Sequence, residues 1–233
     1  MADSFEVVFA LYPRITQLDF TGPYEVFSRL PGARCTLASV SAGTIAAEGG
    51  LTFGNVVSLA SVQHCGLLCV PGGFGTVQAL SDQEYLSHLR RLATSARYVT
   101  SVCTGSLLLA AAGLLRGKRA ACHWAWRELL AEFGVQPDPA RIVRDGRFIT
   151  GGGVTAGIDM ALSVTAEIAG AGFAQAVQLG MEYAPEPPFD CGRPERAPAA
   201  VLAAVRQRME TVSPDRDLAV RRAAQLDLAT SEL

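Results

Sequence analysis

Cys103 stands where an apolar β-rich run, Tyr98 to Val102, gives way to a helix-forming one, Gly105-Ser106-Leu107-Leu108-Leu109-Ala110-Ala111-Ala112. Two positions before it is Ser101 and two after it is Gly105, the small neighbours that a sharp strand-to-helix turn requires. The arrangement has the form of a nucleophile elbow with sulfur in place of a serine oxygen. A thiol at the start of a helix also faces unpaired N–H groups and the positive end of the macrodipole, which favour its anion. The competing reading is a buried core cysteine.

A thiolate that adds to a polarised carbon needs a proton source and donors for developing charge. Asp19, in Gln17-Leu18-Asp19-Phe20-Thr21-Gly22-Pro23, is the candidate acid. Set against the thiol, it would titrate with it as a coupled pair. It reads equally well as the cap of a helix starting at Gly22. Gly72 and Gly73, after Pro71, would let backbone N–H groups approach a substrate, and the Thr104 amide would add another donor. The Thr104 hydroxyl could donate to Asp19 or to an intermediate. Gly151-Gly152-Gly153-Val154 would aim a second helix start at the sulfur. His64 and His88 read as loop and helix-surface residues, which leaves His123 as the one imidazole able to approach. With no evident base, this set suits addition to an unsaturated carbon better than amide hydrolysis, which needs a histidine beside the thiol.

The surrounding pattern predicts the frame. Phe5 to Leu11, Cys35 to Val40, Gly66 to Val70 and Tyr98 to Val102 read as buried strands, with a β-excursion over Thr44 to Ser58. Helices are predicted from Gly22-Pro23 to Leu30, Asp82 to Ala96, Gly105 onward, Trp124 to Phe133, Gly151 to Ala169, Phe173 to Tyr183, Ala199 to Thr211 and Arg216 to Leu228. Lys118 to Cys122 is a further strand, and two short ones flank the Asp145-Gly146 turn. Short apolar strands alternating with helices imply an α/β fold with a mostly parallel sheet covered on both faces. Ligands bind such sheets beyond the carboxyl ends of the strands.

At 233 residues, 49% hydrophobic and 18% charged, the chain suffices for one large core. A net charge of -2 argues against a nucleic-acid surface, and the Arg-rich stretch from Arg193 to Leu233 balances seven Arg with six Asp or Glu. No apolar run reaches membrane-span length. Six scattered cysteines without CxxC spacing fit a reduced, cytoplasmic setting and offer no zinc site.

The segments LDFTGPYEVF, CVPGGFG, YVTSVCTGSLLLAAAGLLRGKRAACHW, TGGGVTAGIDMAL and QLGMEYAPEPPF resemble the ThiJ/PfpI superfamily, and within it the isocyanide hydratases. The resemblance runs from about residue 5 to Ala197. It implies a three-layer, flavodoxin-like sandwich of the class I glutamine-amidotransferase kind over residues 1–197, with 198–233 a helical extension of the same domain. It implies hydration of a small isocyanide to an N-substituted formamide, by a homodimer and without cofactor. It gives Cys103 as nucleophile, Asp19 as proton handler and Thr104 as its assistant. Backbone donors would come from Gly73 and Thr104. PfpI-type peptidases carry His after the cysteine, where this chain has Thr104. Thiol sensors and carbonyl-detoxifying relatives form a second reading. Regulators related to the arabinose-operon activator form a third, but only 48 residues follow Pro185, too few for their two helix-turn-helix units.

Overall fold

A computed structural model describes residues 4–231, without the side chains of 227–231; residues 232 and 233, the end of the predicted C-terminal extension, lie outside the described residues. The chain opens with β1 (Phe5–Ala10), α1 (Gln17–Phe27) and β2 (Ala33–Ser39). A hairpin of β3 (Gly43–Ala46) and β4 (Thr52–Ser58) precedes β5 (Leu67–Val70). Then come the short α2 (Thr76–Ala79), α3 (Gln83–Ser95), β6 (Tyr98–Val102) and α4 (Gly105–Ala111). A two-stranded patch pairs β7 (Arg119–Ala120) with β8 (Gln136–Pro137) around a 3-10 helix over Arg127–Phe133. The rest is β9 (Ile142–Asp145), β10 (Phe148–Gly151), α5 (Ala156–Ala169), α6 (Ala171–Gly180), α7 (Ala199–Val212) and α8 (Arg216–Ser231).

The main sheet has the order β3-β4-β2-β1-β5-β6-β10-β9; its six inner strands are parallel and the two edge strands, β3 and β9, antiparallel. β1, β5 and β6 are short and rich in Val, Leu, Phe and Tyr; β5 and β6 are buried along their whole length, as strands covered on both faces must be. Helix α5 lies against α1, β6 and β10, while α4 lies against β5 and β6 with α2, α3 and α8 around it, giving an α/β sandwich. Sheet order reverses between β1 and β5, so the chain leaves these neighbours in opposite senses and opens a crevice at their carboxyl ends. Register brings those ends level: Val70 pairs with Ser101, and Gly151 with Val102.

Among the predicted boundaries that move, two lie at the crevice. Helix α1 begins at Gln17 rather than Gly22, so Asp19 sits inside its first turn and does not cap it. Pro23, expected at the helix start, is interior; it and Gly22 are buried against α5, where a Cβ on Gly157 would lie 3.0 Å from Pro23 Cγ. Packing between the two helices outweighs the local preference of Gly-Pro for a helix start. Gly151, expected to open a helix, closes β10, and α5 starts only at Ala156, which leaves Val154 in the intervening turn. Of the stretch predicted as a helix from Trp124, only Arg127–Phe133 is helical, as a 3-10 helix, and Gly134 ends it at φ 68°.

Candidate active site

Cys103 adopts φ 61°, a left-handed conformation that side-chain-bearing residues rarely hold without surrounding support. The support is local. Its N–H is shared between the carbonyls of Gly151 at 3.1 Å and Gly152 at 2.7 Å. Ser106 Oγ donates to Ala121 O at 2.5 Å and takes the Ser101 hydroxyl proton at 2.8 Å, pinning α4 to β6. Position 105 must be glycine, because a Cβ there would lie 2.1 Å from Val70 O.

Asp19 is delivered by the first turn of α1 and is entirely buried. Its Oδ2 accepts the Gly72 N–H at 2.9 Å; its Oδ1 has no partner of normal hydrogen-bond geometry. A carboxylate held this way is costly to ionise, and burial pushes its pKa up to about 7 against the opposing pull of the Gly72 N–H and the Cys103 thiol. The charge of Glu48, which accepts the Phe74 N–H at 2.5 Å, adds to the rise. Burial likewise drives the Cys103 thiol well above its ordinary value; the charge of Asp19 adds to this, while the Thr104 amide at the sulfur pulls the other way. This reverses the expectation of a thiolate stabilised by its helix. Sulfur and carboxylate instead hold one proton between them above about pH 7.

Gly72 and Gly73 do not present free N–H groups to the crevice. The first holds Asp19 and the second donates to Thr104 Oγ1 at 2.9 Å. Thr104 Oγ1 lies 2.8 Å from Thr76 Oγ1, which lies 3.0 Å from Tyr12 OH, and Tyr12 OH donates to Pro71 O at 2.9 Å. Thr76 and Glu48 had no signature in the sequence, and Tyr12 only its place in the loop after β1, one of the strand ends expected to converge at the crevice; the closed fold gathers the three.

Beside the elbow opens a cavity of about 770 Å³ whose wall includes Cys122, His123, Trp124, Gly152 and Val154. Cys103 is 5% exposed and is not itself part of that wall; the nearest shared group is Gly152, whose carbonyl takes its N–H. His123 Nδ1 accepts the Ala125 N–H at 3.3 Å, and burial lowers its pKa to about 4, so the ring is neutral at pH 7. A sulfur, a carboxyl group with one uncommitted oxygen and a single shared proton can pass that proton to a carbon as the sulfur bonds to it.

The DJ-1/PfpI family matches residues 6–167 of this chain. Isonitrile hydratase of Pseudomonas putida is 44% identical across 97% of this chain and 99% of its own length. The crystal structure of a ThiJ/PfpI family protein from Pseudomonas syringae superposes with a TM-score of 0.89 at 37% identity, covering 95% of this chain and 90% of that one. The HTH-type transcriptional regulator GlxA of Rhizobium meliloti is 33% identical over 81% of this chain, a span that covers 58% of the regulator.

Proposed function

The chain belongs to the DJ-1/PfpI family, and on that footing we propose that it is an isonitrile (isocyanide) hydratase, converting R–N≡C and water into an N-substituted formamide. The observation that carries the reading is the pairing of a left-handed Cys103 with a buried Asp19 whose Oδ1 is uncommitted, in a chain similar end to end to a bacterial isonitrile hydratase.

In this reading the resting pair is a thiol beside a carboxylate. Asp19 Oδ1 takes the thiol proton as the sulfur bonds to the terminal isocyanide carbon, then gives it to that same carbon. The product is a thioimidate, R–N=CH–S, on Cys103. Water adds across its C=N bond, hydroxyl to carbon and proton to nitrogen. The hydroxyl proton returns through Asp19 to the sulfur as the C–S bond breaks, releasing R–NH–CHO and the free thiol. Only a slender group can reach a sulfur this enclosed, which suits the linear N≡C end; the adjacent cavity would hold the R group. Val154 bounds that space. The Thr104 amide, already at the sulfur, steadies its charge during addition.

The test is incubation of the purified protein with an aryl isocyanide while formamide is followed by absorbance. Parent protein forms formamide and Cys103→Ala forms none; consumption of glyoxal by the parent without formamide production would replace this reading with carbonyl detoxification. The same resemblance supports a cytoplasmic homodimer as the working unit, with residues 198–233 belonging to the same domain. Light scattering at twice the chain mass checks the dimer.

A further inference from the structure

Glu48 reaches the crevice from the turn between β3 and β4, where Gly49 and Gly50 adopt φ of 76° and 87° and bring the backbone round. Backbone bonds dock that turn on the loop that leads into α1: the Glu48 N–H donates to Ile15 O at 2.9 Å, and the Arg14 N–H to Ala46 O at 2.8 Å. The half-buried carboxylate then accepts from two separate segments. Its Oε1 takes the Phe74 N–H at 2.5 Å, and its Oε2 takes the Thr16 hydroxyl proton at 3.3 Å. Thr16 and Phe74 bracket the acid. Thr16 O accepts the Asp19 N–H at 3.0 Å, the Thr16 N–H donates to Gly72 O at 2.9 Å, and the Gly72 N–H closes the ring on Asp19 Oδ2 at 2.9 Å. The route from Glu48 to the Asp19 carboxyl is therefore continuous, hydrogen bond by hydrogen bond.

We infer that Glu48 is a positioning residue: its carboxylate clasps the two segments that hold Asp19, fixing that carboxyl at Gly72, and sets a second negative charge near it. Clasp and charge are separable. A like charge disfavours ionisation of a buried carboxyl, and the charge of Glu48 acts on Asp19 in that sense. The other titratable groups that share the surroundings of Asp19 are Cys103, Tyr12, Cys69 and Cys122, each raised by burial and so uncharged at neutral pH. Arg14, on the loop into α1, is exposed. The Thr104 hydroxyl is engaged with Gly73 and Thr76 rather than with Asp19, in place of the donor role the sequence suggested.

The catalytic meaning of the inference rests on the hydratase reading, but one readout does not. Glu48→Gln keeps an oxygen for the Phe74 N–H and gains an N–H for Thr16 Oγ1, so it removes the charge and leaves the clasp. Alkylation of Cys103 by iodoacetamide, followed on the Cys103 peptide by mass, requires an ionised Asp19 to take the thiol proton and involves no isocyanide. In Glu48→Gln the acid limb of that alkylation, and of kcat/KM for an aryl isocyanide, moves to lower pH by about half a pH unit, the scale of one nearby charge in a partly solvated site. Above the limb, kcat stays within about threefold of the parent. Glu48→Ala shifts the limb in the same sense and also lowers kcat by about tenfold, as expected for loss of a charged hydrogen bond. Thr16→Val opens one side of the clasp with the charge in place; kcat falls while the limb keeps its parent pH, which covers the case of a Glu48→Ala protein that does not fold. An unmoved limb in folded Glu48→Gln overturns the inference, as does a Glu48→Ala with the same kcat as Glu48→Gln or a Thr16→Val with the parent kcat. A limb that moves in the alkylation of a protein forming no formamide upholds the placing of Glu48 and rejects the hydratase reading instead.

Discussion

Two glycine-rich strand ends flank the elbow, and they do opposite work. Pro71-Gly72-Gly73, after β5, turns its N–H groups inward: Gly72 holds the Asp19 carboxylate and Gly73 holds the Thr104 hydroxyl. Gly151-Gly152, at the end of β10, turns carbonyls inward and receives the Cys103 N–H. One arm binds the acid and the other binds the backbone of the sulfur-bearing residue. Space differs as well. A Cβ on Gly72 would lie 2.5 Å from the Thr104 amide nitrogen, whereas one on Gly152 would meet nothing nearer than 3.6 Å. The glycines of the first arm are set by contact at the reacting groups; Gly152 tolerates a methyl, and what the second arm supplies is its carbonyls.

Removing what the first arm holds has the largest effect. Asp19→Asn lowers kcat for isocyanide hydration by about 10³, within the range for a lost general acid–base group. The same change affects stability in a pH-dependent way. Since Asp19 is raised from 3.8 to about 7, the folded protein binds its proton more tightly than the unfolded chain between those values. Its contribution to stability is complete below about pH 4 and is lost as pH rises through about 7. Calorimetry across that window shows this slope in the parent and not in Asp19→Asn, which is the more stable of the two at pH 8.

Altering the first arm itself comes next. Gly72→Ala forces the Thr104 amide and the carboxylate apart and lowers kcat/KM by about a hundredfold, the scale of a misplacement near 1 Å. In the parent, kcat/KM falls on the acid side of about pH 7 as Asp19 takes up a proton and can no longer accept one from the thiol. Gly152→Ala keeps its carbonyl and fits its surroundings, so kcat/KM stays within about threefold of the parent, as expected of a substitution without steric conflict. Gly153→Ala, whose Cβ would meet only His123 Cδ2 at 3.7 Å, has the smallest effect. A Gly152→Ala as damaging as Gly72→Ala would erase the distinction between the arms.

The frame was legible because its signals are local. Buried strands read as short apolar runs, the elbow as a cysteine between a β-rich run and a helix with small flanking residues, and Asp145-Gly146 as a hairpin turn. Cys103, Asp19 and the Gly72-Gly73 arm are gathered at one crevice because strand ends in such a sheet are level. What escaped the sequence was created by closure. The start of α1 is set by Gly22 and Pro23 packing on α5, which no window of the sequence contains. The thiol's shift runs opposite to what a helix start favours because burial, invisible in sequence, opposes the anion more strongly. Tyr12 meets Thr76, and Thr76 meets Thr104, only across sequence separations of 64 and 28 residues.

The crowding at residue 105 bears on how this scaffold can be diversified. With Val70 O 2.1 Å from any Cβ there, mutation at that site is closed to every side chain, and Ser101 and Ser106 are tied into the same joint. Residue 104 is buried as well, its hydroxyl held by the Gly73 N–H and Thr76. A library randomised across 101–106 would therefore yield few folded members, and new reactivity is better sought along the wall of the adjacent cavity, at His123, Trp124 and Val154, without rebuilding the architecture.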